Sequence, residues 1–182
     1  RGLGFNDMRI AINISAAQFN DVDFHDKIQR TLQEEHMPKH ALELEIAESI
    51  LMRDPASAAE VLAAIHALGV RIAIDNFGTS YTSLTYLKRF SLDALKIDRT
   101  LISGLTNNSD NAVIVEAAIS LAHKLGLEVT AEGVETDRQL EFLRTHTCDL
   151  MQGDYFSQSL PMPEFIKLLH EKKANKPELA HL

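Results

Sequence analysis

The sequence contains no tryptophan and one cysteine, Cys148, and aromatic residues make up only 6% of its 182 positions. A single thiol cannot build a disulfide framework, which excludes a small stapled secretory scaffold. Cys148 falls in an apolar stretch, where a buried thiol is expected. With so few rings, the core has to be filled by aliphatic side chains, as in α/β proteins. No apolar run approaches the ~20 residues needed to span a bilayer, and the chain does not open on a secretory leader pattern. The expected setting is reducing and cytoplasmic, with no direct membrane insertion by this domain, although an anchor elsewhere in a longer polypeptide is compatible with that. Positive charge is also in short supply: 18 Lys and Arg stand against 26 Asp and Glu, for a formal net charge of −8. Such a surface is wrong for DNA, RNA or anionic membranes. An acidic protein that takes an anionic substrate needs cations to bridge the two.

What is present is a repeated strand pattern. In Ile72-Ala73-Ile74-Asp75-Asn76-Phe77-Gly78, side-chain alternation sends Ile72 and Ile74 to one face and Ala73 and Asp75 to the other. Read alone, this is either a site at a strand end or an Asp-Asn turn closing a buried strand. The pattern recurs, however. Polar groups lie near the carboxyl ends of five more short apolar runs: Asn13 in 9–15, Glu45 in 42–46, Lys96 in 95–98, Glu132 in 127–133 and Gln152 in 148–153. Most stand opposite the bulky residues of their run. Six such ends describe one polar site at one mouth of a parallel barrel.

The runs predict strands over 8–15, 41–47, 70–75, 93–97, 127–132 and 147–151. Between them, helical spacing and capping signals predict helices over 22–36, 55–68, 84–90, about 110–125, 136–145 and 162–172. Asp54-Pro55 starts the second, and Thr136 with Gln139 makes a capping box for the fifth. Alternation of strand and helix argues for a parallel sheet. Six units are legible where a closed barrel needs eight. Either the sheet is open or two units precede residue 1, and the second reading is preferred because the chain begins almost directly on a strand. The fold class is thus α/β, a TIM-like (β/α) barrel, N-terminally incomplete, over residues 1–171, with a polar tail at 172–182. An open barrel edge is expected to lower stability or favour association.

Six motifs in order resemble those of the EAL domain family, which hydrolyses the bacterial second messenger cyclic di-GMP. They are Asn-Ile-Ser at 13–15, Glu-Ile-Ala-Glu-Ser at 45–49, Asp-Asn-Phe-Gly-Thr-Ser-Tyr at 75–81, Leu-Lys-Ile-Asp-Arg at 95–99, Ala-Glu-Gly-Val-Glu-Thr at 131–136 and Gln-Gly at 152–153. The chain departs from the family pattern in four places. The Glu-Ala-Leu motif is absent, its strand falling before residue 1. Asn76 stands where the family has a second aspartate, Asp154 replaces an aromatic, and Phe-Ser-Gln-Ser replaces Phe-Ser-Arg-Pro at 156–159.

The resemblance implies a two-metal phosphodiesterase using Mg2+ or Mn2+. Asn13, Glu45, Asp75, Asn76 and Glu132 would hold the ions, with the second site weakened by the charge lost at Asn76. Lys96 would orient water or phosphate, or form an ion pair with Asp75 or Glu132. Glu48 would hold the loop after Asn76, or be a surface charge on a helix. Gln152 would hydrogen-bond within the site or serve as a turn residue. Glu135 would touch a guanine or cap the next helix. The implied partners are cyclic di-GMP, a second copy of the chain, and fused sensory or GGDEF-type domains. The expected reaction is hydrolysis to linear pGpG. The alternatives are a receptor that binds without cleaving and a regulatory module with an empty barrel.

Overall fold

A computed structural model describes residues 8–78, 84–106 and 109–174. Six parallel strands form one sheet in simple sequential order. Along the chain these are β1 (Ile10–Ile14), the helices α1 (Ala16–Phe19) and α2 (Phe24–Glu34), β2 (Leu42–Ala47), α3 (Glu48–Leu51), α4 (Pro55–Ala67) and β3 (Arg71–Phe77). They continue with α5 (Leu84–Leu87), β4 (Ala94–Ile97), α6 (Arg99–Ser103), α7 (Ser109–Lys124), β5 (Glu128–Glu132), α8 (Asp137–Thr145), β6 (Leu150–Gln152) and α9 (Met162–Ala174). The result is a curled half-barrel, two strands short of a closed (β/α) barrel. Among the described residues no helix is long and apolar enough to cross a membrane.

The strands form because β-branched and leucine side chains alternate with small or charged ones. The outer face carries Leu44, Ile46, Ile72, Ile74, Leu95, Ile97 and Val129, all buried beneath the helices. Burial of each such side chain contributes about 1.5–3 kcal/mol. Leu62 and Ile65 of α4 and Val115, Ile119 and Ala122 of α7 belong to the same core. Helix ends are set locally. Asp54 accepts from the Ser57 amide at the start of α4, and Thr136 and Gln139 form the predicted box at α8. The inner face carries the charged residues.

Two aspartates fasten the amino ends of neighbouring strands. Asp93 accepts from the Ile72 amide at 2.9 Å and lies 3.5 Å from His66; Asp149 accepts from the Val129 amide at 2.8 Å and lies 2.9 Å from His123. Beside them, the inner face is filled by an ion-pair ring. Arg9 pairs with Glu43 and Glu128 at 3.0 Å each, and Arg71 pairs with the same two carboxylates at 3.0 and 3.1 Å.

The predicted strands are all present. The last is shorter and later than the predicted 147–151, so Cys148 precedes β6 rather than lying in it, though it is buried as expected. The short helices α1, α3 and α6 add to the predicted set. The lead-in at 1–7, the loop at 79–83 and the end of the polar tail lie outside the described residues.

Candidate active site

The opposite, carboxyl end of the inner face gathers the polar strand ends. Parallel register pairs Asn13 with Glu45, Ala47 with Asp75, and Glu132 with Gln152. In a parallel pair, register partners share a face. Asn13, Glu45, Asp75, Lys96, Glu132 and Gln152 therefore line one mouth, as the alternation predicts. Burial grades across it: Glu45, Asp75 and Lys96 are buried, Glu132 is half-buried, and Asn13 and Gln152 are exposed.

Lys96 is the centre. Its Nζ lies 2.5 Å from Glu45 Oε1 and 2.6 Å from Glu132 Oε1. The expected partner Glu132 is present, while the other partner is Glu45 instead of Asp75. Asp75 stands one inward position above Ala73, the register partner of Glu45, where the pairing of β3 with β4 shifts, and its carboxylate is engaged by Asn76. Burial alone would depress the Lys96 pKa. Hydrogen bonds to Glu132 and Glu45 outweigh it, so the ammonium is held above its ordinary value. Glu45 is also pushed up. Its desolvation, with help from the charges of Asp75 and Glu132, exceeds the attraction of Lys96. The two directions are consistent with an acidic cluster that one cation does not neutralise.

Asp75 is engaged from the adjacent residue. Its Oδ1 accepts from the Asn76 amide at 2.8 Å, and its Oδ2 accepts from Asn76 Nδ2 at 3.0 Å. Asn76 has a left-handed backbone, φ +56°, beside a register shift between Ile74 and Phe77. Asparagine tolerates that conformation better than most residues.

Glu48 is completely buried at the start of α3 and accepts from the Gly78 amide at 3.3 Å. This corrects the surface-charge alternative and puts Glu48 where it can tether the chain leaving β3. Glu135 is exposed, and the helix cap is Thr136; residue 135 contributes its backbone N–H, which donates to Gln139 Oε1 at 2.8 Å. Gln152 is the last residue of β6 rather than part of the turn. Its carbonyl accepts from the Val134 amide at 3.0 Å, which ties the chain leaving β5 to the end of β6. Gly153 permits this: a Cβ there would come within 2.2 Å of Val134 O and 2.4 Å of Val134 N.

The donor set matches a hard divalent cation: carboxylate oxygens from Glu45, Asp75 and Glu132 and an amide oxygen from Asn13. Among the described residues, no three His, Cys, Asp or Glu side chains stand close enough to form a ready-made metal cage. The chemistry of the donors fits Mg2+ or Mn2+; their present positions are those set by Lys96 and Asn76.

The strand order and the six polar ends define a member of a recognised class. The chain belongs to the EAL domain family, whose model matches residues 1–159. Cyclic di-GMP phosphodiesterase NbdA of Pseudomonas aeruginosa is 40% identical over 159 residues, which are 87% of this chain and 20% of that protein. The structure of the MucR phosphodiesterase from the same organism, in complex with c-di-GMP, is 41% identical with a TM-score of 0.87, over 89% of this chain and 66% of that one. The Klebsiella pneumoniae protein BlrP1, solved as a manganese and cyclic-diGMP complex, is 27% identical with a TM-score of 0.78, over 86% of this chain and 40% of that one. The chain spans about a fifth to a third of the length of the curated relatives it matches.

Proposed function

We propose that this domain takes cyclic di-GMP at the carboxyl mouth of the sheet and, with divalent metal ions, hydrolyses one phosphodiester to linear pGpG. The observation that carries this reading is the meeting of Glu45, Lys96 and Glu132, with Asp75 and Asn13 alongside, at one strand-end mouth in a chain of this family. Asn13, Glu45, Asp75 and Glu132 would hold Mg2+ or Mn2+, which supplies charge stabilisation and an activated water. The buried ammonium of Lys96 stays charged and can hold a water or a phosphate oxygen between the acids. Glu48 fixes the start of the loop that follows Asn76. Gln152 and Glu135, both exposed, would contact the nucleotide. Residues 1–171 would form the domain, and the whole protein would add a second copy and sensory or GGDEF-type domains; full-length MucR is named a bifunctional diguanylate cyclase and cyclic di-GMP phosphodiesterase.

A second reading, a receptor that binds without cleaving, is favoured by one observation: the residue beside Asp75 is an amide, and it donates to that carboxylate. One carboxylate fewer around two dications is worth about 2–4 kcal/mol, on the order of 30- to 1000-fold in rate. The deciding experiment incubates the chain, alone and preceded by the Glu-Ala-Leu strand of a relative, with cyclic di-GMP and Mn2+ or Mg2+, followed by chromatography. Metal-dependent pGpG, lost in Glu45→Gln, is the expected result. Calorimetric binding with no product selects the receptor reading. Absence of both binding and product overturns the proposal.

A further inference from the structure

We infer that Asn76 is a positioning residue whose side-chain amide holds the Asp75 carboxylate when no metal is bound, making the acidic mouth self-supporting without cations. Successive side chains on a regular strand point to opposite faces, so residues 75 and 76 would not normally meet. Here the left-handed backbone of Asn76 and the register shift after Ile74 turn the second side chain back beside the first. Both carboxylate oxygens of buried Asp75 then accept from the same neighbour, one from its backbone and one from its amide. The orientation of the amide follows from chemistry. Reversed, its carbonyl would oppose a carboxylate. Aspartate, the residue of the family motif at this position, has no donor to offer when ionised.

Asn76 completes a pattern. Glu45 and Glu132 already receive the Lys96 ammonium. With Asn76 on Asp75, each of the three buried or half-buried acids has a protein donor, which accounts for side chains arranged around protein donors without a metal cage. This inference rests on the proposed function only where it concerns displacement of the amide by a metal. The contact itself lies within the chain and involves no metal.

The test uses the 182-residue chain in excess EDTA and in saturating Mg2+. In EDTA, Asn76→Asp should melt about 3–6 °C below the wild type, because a donor is replaced by a like charge. Mg2+ should close or reverse that gap. Asn76→Gly suits the left-handed backbone and removes the amide without adding charge; it should fall below the wild type in EDTA and gain no more from Mg2+ than the wild type does. A third readout needs no variant. In the 1H–15N spectrum of the wild type, the Asn76 side-chain NH2 pair should be shifted from free-asparagine values and slow to exchange, and should move on addition of Mg2+. Equal melting of wild type and Asn76→Asp in EDTA, or free-asparagine resonances for Asn76, would overturn the inference. If the EDTA difference and the shifted resonances are found but Mg2+ moves nothing, the positioning role stands and the metal-dependent reading of the site fails.

Discussion

The two ends of the same sheet are both charged, yet they are built differently. At the amino end, two guanidinium groups and two carboxylates alternate in a closed ring with all four contacts between 3.0 and 3.1 Å. Charge is balanced and donors match acceptors. At the carboxyl end, two of three carboxylates share one ammonium, and an amide serves the third acid. A structural ion-pair network gains most when its charges cancel, because each unpaired buried charge costs desolvation energy. A surplus of negative charge at one end only sets that end apart, and it is what the proposed cation site requires. The same strands supply both ends, with the difference made two or four residues apart: Glu43 and Glu45 on β2, Arg71 and Asp75 on β3, Glu128 and Glu132 on β5.

The contrast is most easily broken at Lys96. Replacing it with methionine leaves Glu45 and Glu132 facing each other without their cation, a loss of about 3–5 kcal/mol in denaturant unfolding. Divalent metal should return part of that stability, and any hydrolysis should disappear. If Lys96→Met unfolds with the wild-type midpoint, the Lys96 ion pairs do not support the mouth. At the amino end, Arg71→Met should cost less, about 1–2 kcal/mol, because the ring is partly open to solvent, Arg9 still reaches both carboxylates and exposed pairs are weakly coupled. Calorimetry should show cyclic di-GMP affinity within about twofold of the wild type, allowing for ordinary scatter in such differences. A much larger change in affinity would mean that the ring is part of the site.

The smallest effect concerns Cys148, which belongs to neither end. Burial is the main cause of a thiol pKa pushed up to about 11 from 9.0. A thiol raised in the folded state contributes stability that is complete below the unfolded value and lost as pH rises between 9 and 11. At pH 8 the folded chain should resist alkylation, while the denatured chain reacts at once. Rapid labelling of the native protein would show that the strand β6 region opens readily.

Much of this arrangement is legible in the sequence because strand alternation is a local signal. Ile72, Ala73, Ile74 and Asp75 announce their faces without reference to any other strand, and the six polar ends follow from the same rule. The stagger between strands is a different matter. It depends on how the sheet curls, and no local signal shows that Lys96 meets Glu45 instead of Asp75. Glu48 is ambiguous in the sequence because a glutamate directly after a strand points inward or outward according to the turn, and only the buried bond to Gly78 settles it. The short helices α1, α3 and α6 span four or five residues, too few to show a period. The amino-terminal ring is not among the sequence-based expectations, although it has a signal: Glu43 and Glu128 are charges at inward positions two and four residues before site residues on their own strands.

Gly153 has a consequence for which substitutions this fold accepts. The backbone of Val134 passes so close that the position acts as a gauge of width between the chain segments leaving β5 and β6. Any side chain there, even a methyl group, would act as a shim. It would force apart the hydrogen bonds from Val134 to Gln152 and from Tyr155 to Val134, both 3.0 Å, and with them the rim that Glu132 and Gln152 share. The span across that rim is thus fixed by a residue with no chemistry of its own.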